Sequence, residues 1–99
     1  MDYEKYIKIP MVIVSDKNIS NSAKILYGYV LLLSHLNGYC YATNRKLSKF
    51  LGTTSRTITK LIKELKDRDY IELKYINVST RKIYINNNIK TSITVDNVF

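Results

Sequence analysis

The feature that most constrains the fold of this chain is a pair of short helical patterns separated by one glycine. Thr43 can cap the first pattern, which ends at Gly52, and Thr54 can cap the second. The second pattern has one apolar stripe at positions i, i+3, i+4 and i+7, formed by Ile58, Leu61, Ile62 and Leu65. Because glycine readily takes the positive φ of a helix end, the sequence predicts two helices joined by a tight turn and packed on one core.

A longer helical pattern precedes this pair, and two β-strand patterns follow it. The longer helix is predicted to begin after Ser20 and to stop at Asn37-Gly38, and residues 39–42 predict a brief strand. The later strands are predicted over residues 70–76 and 82–86, with a turn between them. This order of elements predicts an α+β fold with three helices and a two-stranded hairpin.

The two ends of the chain carry weaker signals. Residues 1–19 are predicted to form an extended arm, in which the β-branched run from Tyr6 to Val14 is interrupted by Pro10. Residues 87–99 are predicted to be a loose tail or a short edge strand. At 99 residues the chain is long enough for one core and too short for two, so the whole sequence is expected to form one domain.

The net charge of +8 is concentrated in one part of the sequence. Residues 43–68 hold eight Lys and Arg side chains against two Asp and Glu, which gives a local net charge of +6. Such a basic segment indicates nucleic acid or an anionic membrane surface as the partner. The longest apolar run, from Ile25 to Leu33, is too short to cross a bilayer, so a membrane partner is not expected.

Residue types that catalyse reactions or bind metals are sparse and scattered. His35 has no Cys or second His near it in the sequence, and the lone Cys40 is expected to be a small buried hydrophobe. No paired carboxylates, activated nucleophile or glycine-rich phosphate loop is evident, so we expect no enzyme activity, metal or cofactor. Because Met1 to Lys8 lacks the pattern of a signal peptide and the cysteine is unpaired, the expected location is the cytoplasm.

The glycine-ended helix, the short turn and the capped basic helix together have the layout of a helix-turn-helix. Residues 8–86, about four-fifths of the chain, resemble the winged helix-turn-helix domains of phage and plasmid replication initiators and regulators. The family pattern at the third helix, Leu-Gly-x-Ser/Thr-x-Arg-Thr-Ile/Val, is matched by residues 51–58. The one clear departure is Asp69, where the family usually has glycine. The resemblance implies a winged helix-turn-helix fold with an extended lead-in, and binding to double-stranded DNA.

The resemblance also implies that the basic, hydroxyl-rich face of the second capped helix meets bases or phosphates and that the hairpin reaches a minor groove or the backbone. The residues implied are Ser55, Arg56, Thr57, Thr59 and Lys60 on the helix and Arg81 and Lys82 on the hairpin. The predicted DNA contacts also include Asn44, Arg45, Thr53, Thr54, Lys63 and Lys74. Arg56, in the first helical turn, is the best candidate for a base contact, whereas Thr57 fits core packing or capping equally well. A basic helical face can also be merely solvated, but the coincidence of cap, turn, charge and hairpin favours DNA contact.

The predicted longer helix is apolar on two sides, which one small domain can hardly cover. We interpret one of these sides as a homodimer interface, formed by Ile25, Tyr29, Leu32 and Leu36. The alternative is a central helix wrapped by the arm, the hairpin and the tail. A homodimer would suit a palindromic or otherwise repeated DNA site.

The function expected from these observations is sequence-specific binding of double-stranded DNA in replication initiation or transcription regulation of a plasmid, phage or similar element. A second hypothesis is a plasmid-partition adaptor that coats centromere repeats and recruits a filament protein. A hypothesis of another class is a winged-helix module that docks a protein partner without touching DNA. Footprints over long repeat arrays would favour the second hypothesis, and partner binding without salt-dependent affinity for duplex DNA would favour the third.

Overall fold

The computed structural model describes residues 6–77 and 80–86 of the chain. Over these ranges the elements in chain order are α1 (Met11–Val14), α2 (Asn21–Leu33), α3 (Asn44–Leu51), α4 (Ser55–Asp67), β1 (Ile71–Asn77) and β2 (Thr80–Ile85). The two strands pair as an antiparallel hairpin. The three longer helices and the hairpin confirm the predicted α+β winged helix. None of the helices in the described ranges has the length and apolar character needed to span a membrane.

Each of the three longer helices begins after the hydroxyl side chain that the sequence predicts as its cap. Ser20 accepts a hydrogen bond from the backbone amide of Ala23 at 3.2 Å. Thr43 and Thr54 likewise accept from the amides three residues later, each at 3.1 Å. Each bond satisfies an amide that the helix itself leaves unpaired, and losing such a cap costs about 1 kcal/mol.

Two residues with positive φ shape the joints on either side of α4. Gly52 ends α3 with φ 69°, as predicted, and the next two residues complete the turn into α4. Asp69 follows α4 with φ 62°, at the position where the resembling family has glycine. Aspartate tolerates this conformation better than most residues, so the departure from the family pattern leaves the turn intact.

The hydrophobic core lies between the three longer helices and the inner face of the hairpin. The predicted apolar stripe of α4 is buried, as are Leu26 and Tyr27 of α2 and Leu47 of α3. Ile83 of β2 and Cys40 are both 0% exposed, which confirms the burial predicted for the cysteine. Each fully buried aliphatic side chain contributes about 1.5 to 3 kcal/mol, so this cluster is the main source of stability.

The N-terminal segment corrects the prediction of an arm that is extended throughout. Residues 6–10 have no regular secondary structure, but Met11–Val14 form the single turn of α1. Pro10 precedes the first helical residue, where its missing N–H costs no hydrogen bond, and its carbonyl accepts from the amides of Ile13 and Val14. Ile13 is 0% exposed, so tertiary burial outweighs the β preference of this branched run.

The boundaries of four other predicted elements also differ, and β1 spans Ile71–Asn77 where the sequence predicts residues 70–76. α2 ends at Leu33, and turns rather than helix lead on to Gly38. The brief strand predicted over residues 39–42 is reduced to one bridge between Cys40 and Ile83. β2 begins at Thr80, earlier than predicted. The predictions for residues 1–5, 78–79 and 87–99 lie outside the described residues.

A buried carboxylate ties the N-terminal segment to the end of α4. Asp16 accepts hydrogen bonds from the Tyr70 hydroxyl, from Arg68 Nε at 2.9 Å and from the Asn18 amide at 2.8 Å. Burial alone would raise the pKa of Asp16, but these hydrogen bonds outweigh it and lower the pKa below its ordinary value. The carboxylate therefore joins the lead-in to the connection between α4 and β1.

Candidate nucleic-acid interface

The exposed side of α4 carries a basic stripe, which we define as Arg56, Lys60 and Lys63. These residues are spaced at i, i+4 and i+7, on the side of the helix opposite the buried apolar residues. Lys63 Nζ pairs with Asp67 Oδ2 at 2.8 Å. No residue within the described ranges forms an ion pair with Arg56 or Lys60. The stripe therefore offers two cations that no described residue pairs with and one that is held by an exposed carboxylate.

Two of the hydroxyl side chains at the start of α4 take part in the helix cap. Thr54 Oγ1 accepts from the Thr57 amide and donates to Thr57 Oγ1, both at 3.1 Å. Thr57 is half-buried, and its amide and hydroxyl both bond to the capping residue Thr54, so its predicted DNA contact stays a prediction. Ser55 is exposed beside Arg56, whereas Thr53 is half-buried in the turn. In this turn Ser55 and Arg56 are thus the side chains most open to a ligand.

A relay of hydrogen bonds, which we call the Arg81 relay, connects the hairpin with both helices of the helix-turn-helix. Arg81 Nη2 donates to Asn44 Oδ1 at 2.6 Å and to the Ala42 carbonyl at 3.4 Å. Asn44 Nδ2 donates to Thr59 Oγ1 at 3.0 Å, and Thr59 Oγ1 donates to the Ser55 carbonyl at 3.2 Å. Three residues predicted as DNA contacts are therefore bonded to one another.

The Arg81 side chain is half-buried. Its Nε is enclosed and has no hydrogen-bond partner among residues 6–77 and 80–86. Burial lowers the pKa of the Arg81 guanidinium, although an arginine keeps its charge at neutral pH. The DNA contact that the sequence predicts for Arg81 stays a prediction.

A groove of about 280 Å³ runs between α4 and the hairpin. Thr59, Lys63 and Lys66 line it from α4, and Tyr75 and Arg81 line it from the hairpin. Lys66 and Tyr75 are absent from the predicted contacts. The i, i+3 spacing of Lys66 from Lys63 and the pairing of Tyr75 with Arg81 across the hairpin are the signals that could have identified them.

The outer face of the hairpin carries the two remaining predicted contacts. Lys74 and Lys82 are direct partners across the strands, whereas their neighbours Leu73 and Ile83 face the core. Lys82 Nζ lies 4.5 Å from the centre of the Tyr39 ring, a cation–π contact. Lys74 is exposed, as is the predicted contact Arg45 in the first turn of α3.

The predicted dimer interface on α2 is partly covered by the chain itself. A Cβ atom at Gly28 would lie 2.8 Å from Ile7 Cδ1 and 3.0 Å from Ile9 Cγ1, so the lead-in crosses the outer side of α2 closely at this glycine. Ile25 is 41% exposed and Leu36 is 88% exposed. Tyr29 and Leu32 are half-buried, and the Tyr29 ring stacks on Phe50 at 3.7 Å between centres. An apolar surface remains beside the lead-in.

The helices and the turn that build this interface match a known sequence profile. The profile of the helix-turn-helix domain family covers residues 17–71, more than half of the chain. The chain belongs to the helix-turn-helix domain family. The match includes α2, α3, the turn at Gly52 and α4. No curated protein sequence matches the chain significantly.

Solved structures share this helix-turn-helix fold over nearly the whole chain. The N-terminal domain of a DNA binding protein is 20% identical with a TM-score of 0.65, and the match covers 93% of this chain and 88% of that one. A Rep–DNA complex is 20% identical with a TM-score of 0.64 and the same coverage. An MDR initiator is 22% identical with a TM-score of 0.63, covering 95% of this chain and 94% of that one. At these identities the similarity establishes the fold.

Proposed function

We propose that this helix-turn-helix protein binds double-stranded DNA sequence-specifically and acts in replication initiation or transcription regulation of a plasmid, phage or similar element. The observation that carries the proposal is the exposed basic stripe on the second helix of the helix-turn-helix. That helix is the one that enters the major groove in proteins with this motif. The fold shared with a Rep–DNA complex and with an MDR initiator supports the proposal and favours the replication role.

In the proposed complex, the N-terminal half of α4 lies in the major groove. Arg56, one residue after the start of α4, can donate two hydrogen bonds to the O6 and N7 atoms of a guanine. Lys60 and Lys63 follow along the same side and neutralise phosphates. The Ser55 hydroxyl can donate to a base or to a phosphate. Lys74 on the hairpin and Arg45 on α3 contact the flanking backbone.

A second copy of the chain is the proposed partner at the remaining apolar surface of α2. Ile25 is exposed on α2, and Tyr29 stacks on the 42% exposed Phe50. Leu36, which the sequence predicts on the same helix, is exposed in the turn after α2. A two-fold dimer through this surface would present two copies of α4 to a palindromic site. Sedimentation should then show a dimer for the unmodified protein and a soluble monomer for Leu32→Glu. A native monomer at the concentrations used for DNA binding would refute the dimer.

Selection of bound sequences from random duplex DNA, followed by footprinting, tests the proposed function. We expect one short motif, or its inverted repeat, with protection centred on the major groove that faces α4. Continuous protection over long repeat arrays would support a partition adaptor instead. Enrichment of no sequence, together with binding that does not respond to salt, would contradict the proposal and favour a protein-docking module.

A further inference from the structure

We infer that Arg81 is a positioning residue, which holds the hairpin against α3 and α4 so that both meet one duplex in a fixed register. The inference rests on the proposed binding of duplex DNA and concerns how the two parts of that surface are coupled. Arg81 acts through Asn44 and Thr59, not by touching DNA itself.

The direction of every bond in the Arg81 relay supports this role. The guanidinium can only donate, and the oxygen of the Asn44 amide accepts from it at 2.6 Å. The nitrogen of the same amide donates a hydrogen bond to the Thr59 hydroxyl. This hydroxyl in turn donates a hydrogen bond to the Ser55 carbonyl in the first turn of α4. Donors and acceptors therefore run in one sense from β2 through α3 into the first turns of α4.

The location of Arg81 on the hairpin shows what the relay stabilises. Near its base the hairpin is anchored by the buried Ile71 and by the Cys40–Ile83 bridge. Beyond Ile83, towards the turn, Tyr75 is 63% exposed and Ile76 is 53% exposed. Arg81 lies in this outer half and bonds it to Asn44 of α3.

Two of the three nitrogens of the Arg81 guanidinium are taken up by the protein, which favours a positioning role over a phosphate contact. Nη2 is shared between Asn44 and the Ala42 carbonyl, and Nε is enclosed by protein atoms. By contrast, Lys74 on the outer face is exposed and has no ion pair within the described ranges. An enclosed donor without a partner is rare in folded proteins, and here it accompanies a guanidinium held in one orientation.

A double-mutant cycle tests the inference in the full chain. Lys74→Ala should weaken binding of the selected duplex about fivefold and lower the salt slope by about 0.9 in the unmodified background. In the Arg81→Ala background the same change should have less than about a twofold effect, because the hairpin no longer holds its register. Lys60→Ala on α4 should reduce affinity by the same factor in both backgrounds.

Variants at Asn44 test the relay without substituting any residue of the hairpin. Asn44→Ala removes both bonds and should abolish the effect of Lys74→Ala, as Arg81→Ala does. Asn44→Asp keeps the acceptor for Arg81 and should preserve that effect, whereas it would repel a phosphate if residue 44 touched one. Equal, multiplicative losses from Lys74→Ala in every background would overturn the inference.

Hydrogen exchange of the DNA-free protein gives a second readout. Amides of the hairpin around Tyr75 should exchange faster in Arg81→Ala and Asn44→Ala. The amides of α4 residues whose side chains are buried in the core should keep their protection. Unchanged hairpin protection would overturn the inference even if DNA binding fell. An unmodified protein that binds no duplex would refute the proposed function, and the exchange measurement would still decide whether Arg81 holds the hairpin.

Discussion

α4 and the hairpin differ in how they hold most of their basic side chains. α4 exposes Arg56 and Lys60 to solvent, and no described residue pairs with either. The hairpin instead holds Arg81 against Asn44 and places Lys82 over the Tyr39 ring. A cation that is already bound by the protein has fewer donors and less freedom to meet a phosphate. We therefore expect α4 to supply most of the affinity for DNA and the hairpin to act chiefly through its position.

The largest effect is expected when the whole basic stripe of α4 is removed. In Arg56→Ala/Lys60→Ala/Lys63→Ala, the slope of log affinity against log salt should fall by about 2.7, or about 0.9 for each phosphate that is no longer neutralised. In the matched hairpin variant, Lys74→Ala/Lys82→Ala, the slope should fall by less than about 1.8. Fluorescence anisotropy with a labelled duplex at several salt concentrations gives both slopes. A larger fall in the hairpin variant would reverse the comparison.

The second effect concerns the joint between the two regions, where Asp16 accepts bonds from Arg68 and Tyr70. Asp16→Ala should lower the free energy of unfolding by about 2 to 3 kcal/mol, because Tyr70, Arg68 and the Asn18 amide lose a buried, charged acceptor. Urea titration measures this loss. Asp16→Asn, which keeps the shape of the side chain, is the matched variant for the pH dependence.

The pH dependence of that joint follows from the lowered pKa of Asp16 in the folded protein. Its contribution to stability is fully present above the ordinary value of 3.8 and is lost as pH falls through the lower folded pKa. The stability difference between the unmodified protein and Asp16→Asn should therefore shrink between about pH 5 and about pH 2. A difference that stays constant over this range would show that the carboxylate is not held in its ionised form.

The smallest effect is expected at Asp69, the residue with positive φ in the same joint. Asp69→Gly removes the conformational cost of an L-residue there and should raise the free energy of unfolding by no more than about 1 kcal/mol. Thermal unfolding of the variant beside the unmodified protein measures the change. Clear destabilisation would mean that the aspartate side chain stabilises the joint between α4 and the hairpin in its own right.

The elements that could be predicted from the sequence are those fixed by local chemistry. Ser20, Thr43 and Thr54 cap helices because a hydroxyl serves amides only three residues away. Gly52 ends α3 through its own backbone freedom, and the spacing of the apolar residues fixes the buried side of α4. These signals are enough to predict the helix-turn-helix and the side of α4 that faces solvent.

The features that could not be predicted depend on residues far apart in the chain. α1 forms because Ile13 is buried in the core, although its own sequence favours a strand. Gly28 permits a close approach of Ile7 and Ile9, which no local sequence pattern predicts. Arg81 meets Asn44 across 37 positions of sequence. The family resemblance implied a contact of Arg81 with DNA, and no local pattern indicated the relay.

Whether α4 reads base edges is tested by comparing the DNA affinities of Arg56→Ala and Lys63→Ala. Each variant is titrated with the selected duplex and with random duplex DNA at two salt concentrations. If α4 reads base edges, Arg56→Ala loses about 1 to 3 kcal/mol of discrimination between the two DNAs. Lys63→Ala weakens binding to both DNAs alike and lowers the salt slope by about one. An Arg56→Ala protein that keeps its full sequence preference would contradict base readout by α4. Specificity would then arise from the hairpin or from DNA shape.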